Sequence, residues 1–148
     1  MVAMKHYEAD TTIDAAADTV WGVLTDGAAY TAWDSGVTRL EGDIRDGEKI
    51  TVYAAVGGDR AFPVTVSLSP DSRSMTWSGG MPLGLFRGVR TFTLTPSGGA
   101  THLRVREEFT GPLLGLIGKS MPDLGPSFTQ FVEGAKARAE SLAGDPRS

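Results

Sequence analysis

An alternation of apolar and polar residues runs from Val37 to Thr110 and stays in phase through four successive turns. Period-two alternation marks strands with one buried face, and each turn converts it into a register that can be checked residue by residue. Arg45-Asp46-Gly47 places Leu40 opposite Val52 and Gly42 opposite Ile50, and Gly57-Gly58-Asp59 places Phe62 opposite Ala54 and Val64 opposite Val52. Pro70 to Arg73 sets Leu68 against Met75 and Val66 against Trp77. Ser97 to Ala100 sets Leu94 against Leu103, Phe92 against Val105 and Arg90 against Glu107. Every turn brings apolar residues to the same face, so the stretch reads as a continuous antiparallel meander.

Helical spacing is confined to the two ends. After a first strand, Lys5 to Ile13, the stretch Ala15 to Thr25 carries Val20, Trp21, Val23 and Leu24 at helical intervals. Gly27 is placed to close that helix, and a second short helix is expected over Ala28 to Trp33. Beyond the meander, Leu113 to Leu142 turns helical, with Leu124, Phe128, Phe131, Val132, Ala135, Ala139 and Leu142 along one stripe. Pro122 and Pro126 demand an interruption between Met121 and Gly125, with Pro126 in the first turn of the restarted helix.

A helix of about 20 residues is roughly 30 Å long, enough to cross the concave face of a twisted sheet but not to fill it. The predicted fold is therefore α+β: a curved seven-stranded antiparallel sheet wrapped around a long C-terminal helix, with two short helices after the first strand. At 148 residues the chain fits one domain, 1–148, with 1–4 and 144–148 expected to fray.

Composition narrows the function. With no cysteine, thiol catalysis, disulfides and cysteine zinc sites are removed. A net charge of −4 without a basic stripe argues against nucleic acid as a partner. No run approaches the roughly 20 apolar residues of a spanning helix, and Lys5 and His6 interrupt the apolar start, so a cytoplasmic protein without membrane insertion is expected. No oligomeric state follows. Parity puts His102 with Arg104 and Arg106, and His6 with Glu8 and Asp10, on the outer face. Neither histidine has a partner at metal-ligand spacing, and none points inward to activate a serine, so no metal and no cofactor are expected.

The inner face carries two charged residues, Arg90 and Glu107, opposite each other in the register. Two readings of the pair stand. It can be an ion pair that fixes its hairpin, or a polar clamp in which Arg90 orients a carboxylate, phenolate or carbonyl oxygen and Glu107 accepts a hydrogen bond or a proton. The candidate ligand wall around it comprises Val52, Val64, Val66, Met75, Trp77, Phe92, Val105 and Phe109 from the strands, Phe128 and Phe131 from the last helix, and Trp33 and Phe86 near the mouth. Gly79 to Gly88, with glycine and bare apolar residues, suits either a lid or an ordinary inter-strand loop.

Several motifs then fall in a familiar order. Ile13-Asp14-Ala15-Ala16-Ala17-Asp18-Thr19-Val20-Trp21, Leu24-Thr25-Asp26, Tyr30-Thr31-Ala32-Trp33, Gly47-Glu48, Phe86-Arg87-Gly88 with Phe92, and Glu107-Glu108-Phe109-Thr110-Gly111 resemble the START-like helix-grip superfamily. The likeness is to its polyketide cyclase/dehydrase and lipid-transport-like branch, also called SRPBCC. It covers nearly the whole chain and implies a cavity for a small hydrophobic molecule between sheet and helix. A histidine often stands in that branch where this chain has Arg90, and an arginine cannot serve readily as a neutral base. Three functions fit the resemblance: binding or carriage of a small hydrophobic or amphipathic molecule; a polyketide-type cyclase or dehydratase, a lyase or isomerase using Glu107 and Arg90; or a protein-interaction module whose cavity is filled or vestigial.

Overall fold

A computed structural model describes residues 4–58 and 60–144. Residues 1–3 and 145–148 of the expected frayed ends, and Asp59 of the second hairpin turn, lie outside the described residues. Seven strands form one antiparallel sheet: β1 (Met4–Ile13), β2 (Val37–Glu41), β3 (Lys49–Ala54), β4 (Ala61–Ser69), β5 (Ser74–Gly80), β6 (Arg87–Ser97) and β7 (Ala100–Thr110). Their order is β1-β7-β6-β5-β4-β3-β2, a meander whose first strand pairs with its last. Three helices complete the fold: α1 (Ala17–Thr25), the single turn α2 (Leu114–Ile117) and α3 (Gly125–Ala143). This is the helix-grip arrangement expected from the sequence.

Three of the four turns produce the register read from the sequence. Leu40 faces Val52, Val66 faces Trp77, Leu68 faces Met75, and Arg90 faces Glu107. The β6–β7 turn closes on Gly98 and Gly99, both at positive φ (58° and 90°), a twist that matches paired strands and that glycine adopts without strain. The β3–β4 hairpin departs. Phe62 faces Val52 and Val64 faces Ile50, two residues away from the expected pairing. Ala55–Gly57 coil into a 3-10 turn, so the connection is longer than Gly57-Gly58-Asp59 alone. An even shift preserves which face each side chain occupies, and the apolar face survives it.

The expected second helix, Ala28 to Trp33, is a 3-10 turn over Gly27–Ala32. Gly27 does not act as a left-handed cap. A Cβ there would meet Leu40 Cδ2 at 3.0 Å and the Ile44 side chain at 3.2 Å, so close packing is what its missing side chain permits. Tyr30, fully buried, donates its hydroxyl to Leu24 O at 2.6 Å, and Ser35 Oγ donates to Tyr30 O at 2.7 Å, which pins the turn beneath α1.

The final helical region is broken as the prolines require, at 118–124, and Pro126 sits in the first turn of α3. Phe128, Phe131, Val132, Ala135 and Ala139 of α3 are buried against the sheet and α1. The far end of α3 is tied down by Glu140 Oε2, which accepts from Asp14 N and Lys136 Nζ, each at 2.8 Å; these bonds hold the Glu140 carboxyl below its ordinary range. His102, Arg104 and Arg106 face outward, paired with Asp10 and Glu8 across β1. Exposed pairs of this kind contribute little to stability. Among the described residues no helix is long and apolar enough to cross a membrane.

α3 approaches the Asp34 backbone because residue 134 is glycine: a Cβ at Gly134 would run into the Asp34 carbonyl oxygen. In an exposed helix, Gly→Ala stabilises by about 1 kcal/mol. Gly134→Ala should instead destabilise the protein by about 1–3 kcal/mol, because the clash with backbone has no flexible neighbour to absorb it. Urea unfolding of the two proteins checks the sign.

Candidate functional site

One rung of the sheet builds the site. Trp77 on β5, Arg90 on β6, Glu107 on β7 and Tyr7 on β1 are successive cross-strand partners. All four side chains share the concave face because their strands are in phase. Arg90 Nε donates to Glu107 Oε1 at 2.7 Å, and the side chains are 25% and 14% exposed, so the pair is largely withdrawn from water. The Arg90 guanidinium also lies 4.7 Å from the centroid of the Phe128 ring on α3, an electrostatic attraction to the face of the ring. Gly88 makes room for the carboxylate: a Cβ there would come within 2.8 Å of Glu107 Oε2 and 3.1 Å of the Phe109 ring.

The pair faces a cavity of about 510 Å³ between the sheet, α3 and the 118–124 connection. The wall is mainly apolar. Val52, Val64, Trp77, Val105 and Phe109 contribute from the strands, Phe128 and Phe131 from α3, and Phe86 from the segment before β6, with Arg90 and Glu107 among them. These ten were expected from the sequence. The remaining polar side chains on the wall are Ser35, Arg60, Ser120 and Ser127. Phe86 stacks on Phe109 at 5.8 Å, while Tyr7 packs against Phe109 and Phe128.

Four expected wall residues sit elsewhere. Val66, Met75 and Phe92 are buried on the same face but lie outside the cavity lining, in the core where Phe131 packs on Phe92 at 5.7 Å. Trp33 packs on Tyr30 and Phe131 and borders a separate depression beside α1 with Asp18, Asp26 and Arg138. Parity assigns a face; it does not say how far along that face the helix packs tightly. Not expected on the wall were Ile117 of α2 and, from the connection after it, Ser120, Met121, Pro122 and Leu124, the last three within the stretch read as an interruption. Their signal was the apolar character of a proline-broken segment. Gly79, Gly80 and Gly88 line the cavity too, and the segment between them is closed on itself by Met81 N donating to Phe86 O at 2.7 Å.

Chemically, the site offers two guanidiniums, Arg90 and Arg60, one carboxylate and three hydroxyls within a mainly apolar wall. Behind the wall, burial pushes the Tyr30 phenol up, with the Arg90 charge opposing, so it stays protonated. Trp77 Nε1 is buried without a hydrogen-bond partner, its ring against Phe92 and Tyr30. No histidine lines the cavity among the described residues, and no group of three or more of their His, Asp and Glu side chains could hold a metal ion. Side chains leave this space open.

The family described as polyketide cyclase/dehydrase and lipid transport matches residues 4–140. The chain belongs to this family. Among solved structures, the Zhui aromatase/cyclase from Streptomyces sp. R1128 matches with a TM-score of 0.74 at 20% identity, covering 93% of this chain and 94% of that one. Norcoclaurine synthase from Thalictrum flavum matches at 0.67 and 16%, covering 97% and 89%. A START superfamily protein from Mycobacterium smegmatis matches at 0.67 and 16%, covering 94% and 98%. At these identities the likeness shows the fold that the polyketide cyclase/dehydrase and lipid transport family shares with them. No curated protein matches this sequence.

Removing one member of a largely dry ion pair strands the other charge, whereas neutralising both leaves no charge of the pair unpaired. Arg90→Met and Glu107→Gln should each destabilise the fold, and the double variant should be less destabilised than the two sum to. A coupling of about 1–3 kcal/mol in a double-mutant cycle, measured by urea unfolding, is the expected result.

Proposed function

We propose that this protein binds and carries a small, mostly apolar molecule with one oxygen-bearing end, the apolar body in the cavity and the oxygen on Arg90. The observation that carries this reading is the combination of an apolar space of about 510 Å³ with a single guanidinium–carboxylate pair on its wall. An apolar surface supplies affinity without much selectivity, and a charged donor held in place by its counter-ion fixes orientation. Arg90 Nε is committed to Glu107 Oε1, so its terminal nitrogens are the donors a ligand oxygen would meet. Glu107 in turn holds the guanidinium plane in place against the Phe128 ring.

A cyclase or dehydratase reading draws on the fold shared with the aromatase/cyclase and on Glu107, whose Oε2 lies against Gly88 at the cavity wall. In that reading Glu107 exchanges a proton with the substrate while Arg90 holds the carbonyl oxygen. Glu107→Gln would then abolish turnover of a supplied aromatic polyketide and spare its binding.

Two fluorescent probes separate the polar clamp from simple apolar burial: anionic anilinonaphthalene sulfonate and neutral N-phenylnaphthylamine. The Arg90→Met/Glu107→Gln double variant keeps the wall free of a stranded charge. It should bind the anionic probe about tenfold or more weakly, as loss of a charge-assisted hydrogen bond requires, and the neutral probe within about twofold of wild type. Failure of wild type to bind either probe, or unchanged affinity of the double variant for the anion, would contradict the proposal.

A further inference from the structure

A second guanidinium borders the cavity. Arg60 stands immediately before β4 and shares parity with Phe62 and Val64, both of which line the space. Unlike Arg90 it is exposed, and the lining residues near it in sequence, Val56 and Phe62, are 41% and 40% exposed, so this stretch is an open rim. Among the described residues Arg60 has no ion-pair or hydrogen-bond partner. Beside β4, strand β5 ends on Gly79 and Gly80, which line the cavity and bring no side chain of their own over it.

The two cations stand at opposite ends of the apolar wall. Val66 on β4 faces Trp77 and Trp77 faces Arg90, so Arg90 lies two strands across from residue 66, about 10 Å away. Residue 60 precedes residue 66 by six positions, roughly 20 Å along the strand direction. Val52, Val64 and Phe109 border the space between the two ends. Glu107 neutralises Arg90 at the withdrawn end, and no carboxylate on the wall is paired with Arg60 at the rim. A guanidinium with all its donors uncommitted matches the oxygens of a carboxylate or a phosphate, and at the lip of an apolar space it meets whatever end of a bound molecule emerges there.

We infer that the molecule carried is anionic at both ends, with one oxygen group on the terminal nitrogens of Arg90 and a second, a carboxylate or a phosphate, on Arg60. The inference rests on the carrier reading above and extends it by a second polar end. Arg60 then selects molecules whose apolar body is long enough to reach the rim and finishes there in an anion; a monoacid leaves only its apolar tail beside Arg60.

Displacement of N-phenylnaphthylamine by three ligands of matched chain, dodecanoate, dodecanedioate and ω-phosphonododecanoate, tests it in wild type, Arg60→Gln and Arg87→Gln. In Arg60→Gln the affinity for the diacid or the phosphonate, taken relative to dodecanoate, should fall about fivefold or more, as loss of a charge-assisted hydrogen bond requires. The larger fall names the group that Arg60 reads. Arg87 is exposed and off the cavity wall, so Arg87→Gln removes the same charge elsewhere and should leave both ratios within about twofold of wild type. The inference is overturned if both ratios in Arg60→Gln match wild type, or if Arg87→Gln lowers them equally, which would reduce the effect to net charge. In those cases the carrier reading still stands if dodecanoate displaces the probe from wild type and does so more weakly from the Arg90→Met/Glu107→Gln variant. Wild type that binds neither the probe nor the acids overturns both.

Discussion

A guanidinium facing an apolar enclosure is tolerable only when its counter-charge lies within hydrogen-bond reach, because desolvating either ion alone costs several kcal/mol. In this fold that requirement is met by strand register. Gly98 and Gly99 turn β6 into β7 so that Arg90 and Glu107 fall opposite each other, and Nε reaches Oε1 at 2.7 Å. A slip of one residue between them would send Arg90 or Glu107 to the outer face, bring Thr91 or Arg106 inward in its place, and strand the charge left behind. The polar end of the cavity, the seat of Phe128 over the guanidinium and the usefulness of Gly88 all depend on that one turn.

The cavity exists because α3 closes only part of the concave face. Where Phe131 meets Phe92 and Tyr30, aromatic rings interlock and the core is dense. Toward the other end the helical region is broken at 118–124 and the wall passes to a connecting segment with few large side chains. Small residues finish the job: Gly134 lets α3 approach the Asp34 backbone, while Gly79 and Gly88 leave space on the opposite wall.

Much of this was legible from residue order. Alternation and turn length gave seven strands, the inward face and the Arg90–Glu107 partnership, because strand periodicity and turn geometry are local properties. Proline chemistry located the break before Pro126 for the same reason. What escaped was set by tertiary packing. Ala55–Gly57 coils where a tight turn was expected, shifting Phe62 from Ala54 to Val52 without changing its face. Val66, Met75 and Phe92 point inward but are covered, because the helix position along the strands is a long-range outcome that parity does not encode. Gly27 signalled a cap and serves instead as a contact point for Leu40 and Ile44.

The most direct test of the account is a crystal structure of the wild-type protein soaked with bromonaphthoate, read in anomalous bromine density. The account predicts a bromine peak between the sheet and α3, with the carboxylate on the terminal nitrogens of Arg90 and the Arg90–Glu107 bond retained. Side chains closing that space, or Arg90 and Glu107 turned to the outer face with the ligand bound elsewhere, would contradict it.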